Sequence, residues 1–394
     1  MTLAILVAAL VLMPCGGTLG LAQETTAPEP SVSGQSSPEP SVPGPSAPEV
    51  DAGAWTLMDI RTGEYLAGEN AEKQLPMAST TKIMLALLTF EEANLDEEVV
   101  ISQKAASFAV PLYSNVGLFP SDTVSVRELL MASLIASGDD AAYALAEHLG
   151  DGSVERFVEE MNDKAEELDL DDTRFENPVG FDARDHHSSA RDLAKMTRRA
   201  FEYPEFRRIV ATRETAITTQ DHTIPLVNTN DLLFTYTPTT GVKTGTTPAA
   251  GPSLVASAAT GDESYITVVL DNEERFADTI TLLEHGFEAY DRRDLVVEDK
   301  RYARVNVPYR RGERIGLVAR DDVTGLVAGD PKVERKIELV QDLPGSVRPG
   351  ARLGRIVVRV DGERVGETAL VARRGYEEAS LGEKLWYTVE GIFE

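Results

Sequence analysis

The chain has 394 residues, 42% of them hydrophobic, enough for two cores rather than one. A formal net charge of −27 argues against nucleic acid and against an electrostatically held anionic membrane surface, though not against apolar anchoring. The single cysteine excludes an internal disulfide.

Residues 1–22 read as a signal peptide or an N-terminal anchor. Leu3 to Met13 has the length of a signal-peptide core, and Gly20-Leu21-Ala22 supplies small residues for cleavage. The run is borderline in length for an uncleaved spanning helix, and it lacks a leading Lys or Arg. Either way the chain is expected to be exported. Residues 23–50 are rich in Pro, Ser and Glu. Pro28-Glu29-Pro30-Ser31-Val32 recurs as Pro38-Glu39-Pro40-Ser41-Val42, a composition that cannot bury a core. This segment reads as a disordered linker, roughly 90 Å long if fully extended.

Folded structure is expected from Asp51. Ala54 to Ile60 and Glu64 to Ala67 read as a hairpin around Thr62-Gly63. Pro76 to Phe90 then reads as a helix with a polar first turn and an almost wholly apolar remainder, hence a core helix. Its first turn carries Ser79 and Lys82, three residues apart on one face. A serine hydroxyl needs a base, and an amine serves only when neutral. The helix dipole and a dry site both push lysine that way. Alone, the spacing reads more simply as a capped helix with a solvated lysine.

Ser121 to Gly150 is expected to be helical overall, interrupted at Ser137-Gly138-Asp139-Asp140; Phe157 to Leu168 and Ala190 to Phe201 are further amphipathic helices. Strands follow around Gly241–Thr246, Ser253–Ala258 and Tyr265–Leu270, then a helix over Asp278–Tyr290. Helices bracketing an antiparallel sheet give an α+β arrangement.

Three short words occur in order: Ser79-Thr80-Thr81-Lys82, Ser137-Gly138-Asp139 and Lys243-Thr244-Gly245. Their order resembles the penicillin-binding serine peptidases and β-lactamases. The surrounding words, Asn177-Pro178-Val179-Gly180-Phe181-Asp182, His186-His187-Ser188-Ser189-Ala190-Arg191-Asp192-Leu193 and Thr246-Thr247-Pro248-Ala249-Ala250-Gly251, resemble the low-molecular-mass D-alanyl-D-alanine carboxypeptidases. The resemblance covers roughly Ala54 to Tyr290 and implies a β-lactamase/transpeptidase-like catalytic domain over residues 51–292, an antiparallel sheet with helices on both faces.

By that resemblance Ser79 is the nucleophile and Lys82 its base. Ser137 relays a proton to the leaving D-alanine, and Lys243 adds positive potential. Backbone N–H groups of Ser79 and Thr246 form the oxyanion hole. Thr244, Gly245, Thr246 and Arg275 bind substrate, Thr244 and Arg275 at its terminal carboxylate. The chain departs from the family at Asp139, where asparagine is usual. A carboxylate there favours protonated Lys82, so Asp139 is expected to shift the pH optimum without abolishing activity. The adjacent His186 and His187 lack the company of a metal-ligand cluster and read as structural. No metal or organic cofactor is implied. The implied partners are a peptidoglycan stem peptide as substrate and β-lactams as inhibitors.

After Tyr290 short strands follow: Ala303–Val307, Glu313–Val318, Val333–Val340 and Leu353–Val360, with Asp361-Gly362 as a tight turn. Residues 293–375 are expected to form a small all-β sandwich domain, as the carboxypeptidases often carry. Residues 376–394 end in an amphipathic helix, with Leu381, Leu385, Trp386, Val389, Ile392 and Phe393 on one side. Peripheral membrane contact through that helix and packing against the β domain are both open.

The function expected is an exported serine carboxypeptidase that removes the terminal D-alanine of peptidoglycan stem peptides through an acyl-enzyme. A class A-like β-lactamase is the first alternative. It requires a glutamate for deacylation, and no Glu-x-x-Leu-Asn word lies between Asp139 and Lys243. A non-catalytic penicillin- or wall-binding protein is the second.

Overall fold

The structure is a computed structural model and describes residues 46–390, apart from Asp342 and Pro344. The expected signal or anchor, most of the linker, and Ile392 and Phe393 lie outside the described residues.

The N-terminal part of the described residues is built on a five-stranded antiparallel sheet. Strands β1 (Ala54–Asp59) and β2 (Tyr65–Glu69) form the expected hairpin. Strands β3 (Thr239–Thr247), β4 (Gly251–Thr260) and β5 (Glu263–Leu270) complete the spatial order β2-β1-β5-β4-β3. Both faces are covered, so side chains of alternating parity enter two different cores. Along β5, Tyr265 and Val269 join one core while Ile266, Val268 and Leu270 join the other.

Helix α1 (Lys82–Glu92) runs through the larger core and packs against α2 (Val126–Ile135), α3 (Asp139–Leu149), α4 (Val154–Glu167) and α5 (Ala190–Ala200). Every residue from Lys82 to Thr89 is buried, as an all-round apolar helix requires. Helix α6 (Arg275–Ala289) covers the opposite face, where Leu282 and Leu283 meet Leu254 and Tyr265. Ala47 and Val50 already pack on that second core.

Two local expectations need correction. Residues 121–125 are not helical: Thr123–Ser125 is a strand paired with Glu98–Val100, and its last residue, Ser125, caps α2 by accepting from Glu128 N–H. Helix α6 begins at Arg275 rather than Asp278, which places that arginine on an ordered first turn instead of in a solvated loop.

The C-terminal half is all-β. Strands β6 (Tyr290–Val296) and β9 (Val323–Ala328) pair as one small sheet. Strands β7 (Arg301–Asn306), β8 (Arg314–Ala319), β10 (Val333–Leu339), β11 (Arg352–Val360) and β12 (Glu363–Ala372) make a second, in the order β7-β8-β12-β11-β10. Leu295, Val296, Val323 and Val327 of the first share a core with Ile315, Leu317, Ile356 and Leu370 of the second. A buried ion pair, Arg292 to Asp59, ties β6 to the catalytic sheet. Helix α7 (Leu381–Glu390) leaves Leu381, Leu385 and Trp386 exposed, at 86%, 68% and 66%. Its contacts with the β domain are polar or aromatic: Glu383 to Arg310, and Tyr387 against Tyr309.

Candidate active site

The turn before α1 is a 3-10 helix over Ala78–Thr81, so Ser79 sits on a tight turn just ahead of the α-helix proper. Ala78 has φ 48°, a left-handed conformation costly for a residue with a Cβ. Two glycines permit it. A Cβ on Gly180, itself at φ 99°, would lie 2.0 Å from the Ala78 carbonyl oxygen. A Cβ on Gly245 would lie 2.9 Å from Ala78 Cβ and 3.0 Å from the Ser79 nitrogen. The Lys243-Thr244-Gly245 strand thus presses directly on the Ser79 turn.

Lys82 is wholly buried and its Nζ has three partners. These are Asp139 Oδ1 at 2.7 Å, the Val179 carbonyl at 2.9 Å and Ser79 Oγ at 2.9 Å. Burial pushes the Lys82 ammonium below its ordinary range, and the Asp139 carboxylate opposes that shift. Asp139 opens α3, and its backbone N–H donates to the Ser114 carbonyl at 2.8 Å.

Lys243 is also buried, its Nζ donating to the Thr244 carbonyl at 3.0 Å. Burial holds it well below the usual lysine range, and the nearby Lys82 adds to the effect. Thr244 Oγ1 shares a 2.6 Å hydrogen bond with Thr229 Oγ1. Arg275 reaches across from α6, donating to Thr246 Oγ1 at 2.8 Å and to the Gly245 carbonyl at 2.9 Å. Ser137, at φ 60°, lies in the break between α2 and α3, two residues before Asp139.

A cavity of about 300 Å³ opens over this group. Ser79, Asp139 and Thr246 line it, together with Tyr113, Phe181 and Asp182. Ser79, Lys82 and Asp139 form one hydrogen-bonded cluster; Ser137, Lys243, Thr244 and Arg275 are not among the lining residues, and Lys243 feels the charges of Lys82, Asp139 and Arg275.

The motif reading gave no role to Asn177 or Asp140 and only a structural one to His186. Asn177 Oδ1 accepts from the N–H groups of Val179, Gly180 and Phe181 at 3.3, 2.8 and 2.9 Å, fixing the loop that offers the Val179 carbonyl to Lys82. Buried Asp140 accepts from Gly117 and Leu118 N–H at 2.9 and 3.0 Å and so holds the loop next to Tyr113. His186 Nδ1 accepts from Glu176 N–H at 3.0 Å, which leaves the ring proton on Nε2. Nε2 therefore donates to Thr81 Oγ1 at 2.8 Å, and Thr81 donates in turn to the strained Ala78 carbonyl at 2.8 Å. The histidine braces the turn that carries Ser79.

A family model for D-alanyl-D-alanine carboxypeptidase, peptidase S11, matches residues 41–274. The D-alanyl-D-alanine carboxypeptidase DacF of Bacillus subtilis is 33% identical over 343 residues, covering 84% of this chain and 87% of that protein. Penicillin binding protein 5 of Haemophilus influenzae has a similar structure, with TM-score 0.67 and 29% identity over 85% of this chain and 100% of that one. The Streptomyces K15 DD-transpeptidase, at TM-score 0.59 and 33% identity, covers 62% of this chain and 99% of its own. The chain belongs to the peptidase S11 family of D-alanyl-D-alanine carboxypeptidases.

Proposed function

We propose that Ser79 is the nucleophile of a D-alanyl-D-alanine carboxypeptidase acting on peptidoglycan stem peptides, with neutral Lys82 as its base. The coordination of Lys82 Nζ carries the reading. Two of its three partners, the Asp139 carboxylate and the Val179 carbonyl, only accept, and they use two N–H bonds. Loss of one proton leaves two N–H bonds for those acceptors and turns a lone pair toward Ser79 Oγ, to which the ammonium donates at 2.9 Å. Burial supplies the bias toward that neutral form.

Ser79 Oγ attacks the carbonyl carbon between the two D-alanines as its proton passes to Lys82. The carbonyl oxygen becomes an oxyanion held by backbone N–H groups of Ser79 and Thr246. When the C–N bond breaks, the leaving D-alanine nitrogen takes a proton delivered through Ser137. Water then hydrolyses the acyl-enzyme and restores Ser79. Lys243, Thr244 and Arg275 draw the terminal carboxylate to the Thr246 side of the cavity.

Among the described residues no glutamate lines the cavity, and Asp182, which does, is engaged by the Ala249 N–H at 3.1 Å. This favours the carboxypeptidase over a class A-like β-lactamase. Benzylpenicillin should leave one covalent adduct that peptide mapping places on Ser79. An adduct on another residue, or none, removes Ser79 as nucleophile.

We further propose that the chain acts outside the cytoplasm, where that substrate lies, and touches the membrane peripherally through α7. Among the described residues no helix is long and apolar enough to cross a membrane. The exposed Leu381, Leu385 and Trp386 support surface contact. Equal liposome flotation with and without residues 380–394 would remove the helix from that role.

A further inference from the structure

The outer face of the all-β half carries an open groove of about 750 Å³ lined by Arg301, Arg304, Arg314, Arg373 and Arg374, with Glu313 as its one carboxylate. We infer that this groove is a binding site for a phosphate group, separate from the peptidase centre.

Sheet register builds the site. Ile315, Leu317 and Ala319 of β8 point into the core, so Arg314 and Gly316 point outward. Arg301 and Arg304 are three apart, and a regular strand would send them to opposite faces. A bulge between Arg301 and Ala303 corrects this, placing Arg301 opposite Val318 and Arg304 opposite Gly316. On the other side of β8, Arg373 N–H donates to the Gly316 carbonyl at 3.0 Å. Arg304 on β7, Gly316 on β8 and Arg373, the residue after β12, therefore form one row, and Gly316 adds no side chain of its own at the centre, where the Arg301 stem lies. The two flanking Cα atoms are roughly 10 Å apart, so an anion above the Arg301 stem can meet guanidinium forks from both sides. Gly316 is also where Arg301 packs, since a Cβ there would lie 3.0 Å from Arg301 Cδ.

The cluster lacks internal compensation. Arg301, Arg304 and Arg373 are exposed and form no ion pair among the described residues. Glu313 is shared at 3.6 Å from Arg310 and 3.9 Å from Arg374. Like charges this close repel, in a chain with a net charge of −27 that offers acidic residues freely elsewhere. A tetrahedral, multiply charged oxyanion relieves that repulsion and matches bidentate arginine geometry. The whole-chain charge argues against anionic partners; this face inverts that argument locally. The phosphate can be free or part of a lipid headgroup, for Arg310 beside the groove also meets Glu383 of α7 at 3.7 Å.

The test titrates inorganic pyrophosphate into the full chain by calorimetry, with ionic strength held constant by NaCl. Saturable binding is expected, weakened at least about tenfold in Arg304→Gln/Arg373→Gln. Penicillin acylation should be unchanged in that variant, which shows that it is folded. A second arm uses phosphatidylcholine vesicles with and without phosphatidylglycerol. Phosphatidylglycerol-dependent binding that falls in the double variant identifies a headgroup as the source; pyrophosphate binding with unaltered vesicle binding identifies free phosphate. Two results overturn the site: no binding above the NaCl control together with vesicle binding indifferent to both arginines, or equal binding by Arg304→Lys/Arg373→Lys, which would reduce the effect to bulk charge.

Discussion

Asp139 Oδ1 accepts from Lys82 Nζ at 2.7 Å while that same nitrogen lies 2.9 Å from Ser79 Oγ. A carboxylate in this position stabilises the protonated lysine, so it works against the burial that favours the neutral amine. Replacing Asp139 by asparagine removes that charge and keeps an acceptor. The acid limb of the kcat/KM profile should then move to lower pH, because Lys82 loses its proton more readily. An unchanged pH–rate profile would show that Asp139 does not set the base.

Gly180 is required by geometry rather than flexibility alone. Its Cβ would fall 2.0 Å from the Ala78 carbonyl oxygen, inside the turn that carries Ser79. In Gly180→Ala the turn must move, and a displacement of about 1 Å costs on the order of 100-fold. Acylation by a fluorescent penicillin should slow by that factor. A rate within about twofold of the parent would mean the turn tolerates displacement.

His186 gives the fold a pH dependence of its own. Burial holds its imidazole at about 4, against 6.5 for a free histidine. Between those values the folded chain binds fewer protons than the unfolded one. The stability tied to neutral His186 is therefore complete above pH 6.5 and lost as pH falls through 4, up to about 3 kcal/mol. Urea unfolding of His186→Gln at several pH values should show a baseline loss at neutral pH but a flatter decline on acidification. Parallel declines would place the acid sensitivity elsewhere.

The catalytic fold was legible because its signals are side-chain signals. The apolar run Ile83 to Leu88 marks a core helix, and the spacing of Ser79 and Lys82 at its start brings Lys82 Nζ to 2.9 Å from Ser79 Oγ. What stayed hidden is carried by backbone groups and register. The Val179 carbonyl is a full partner of Lys82, yet the sequence shows only Asn177 to Asp182 as a recurring family word. Asp140 sits beside the motif residue Asp139, and its task, gathering N–H groups of a loop more than twenty residues earlier, has no local signature. In the β half, β6 and β9 escaped the strand reading, and β12 was anticipated only as the far arm of the Asp361-Gly362 hairpin; Tyr290 to Val296, with two arginines and two aspartates, shows weak alternation. The bulge at Arg301 is likewise a property of pairing, not of composition.

D-alanine release from diacetyl-Lys-D-Ala-D-Ala, compared between the parent chain and Ser79→Ala, decides whether Ser79 carries the hydrolysis. The parent is expected to release D-alanine and the variant none above background. Equal release by both would contradict this, since the hydrolysis would then owe nothing to Ser79.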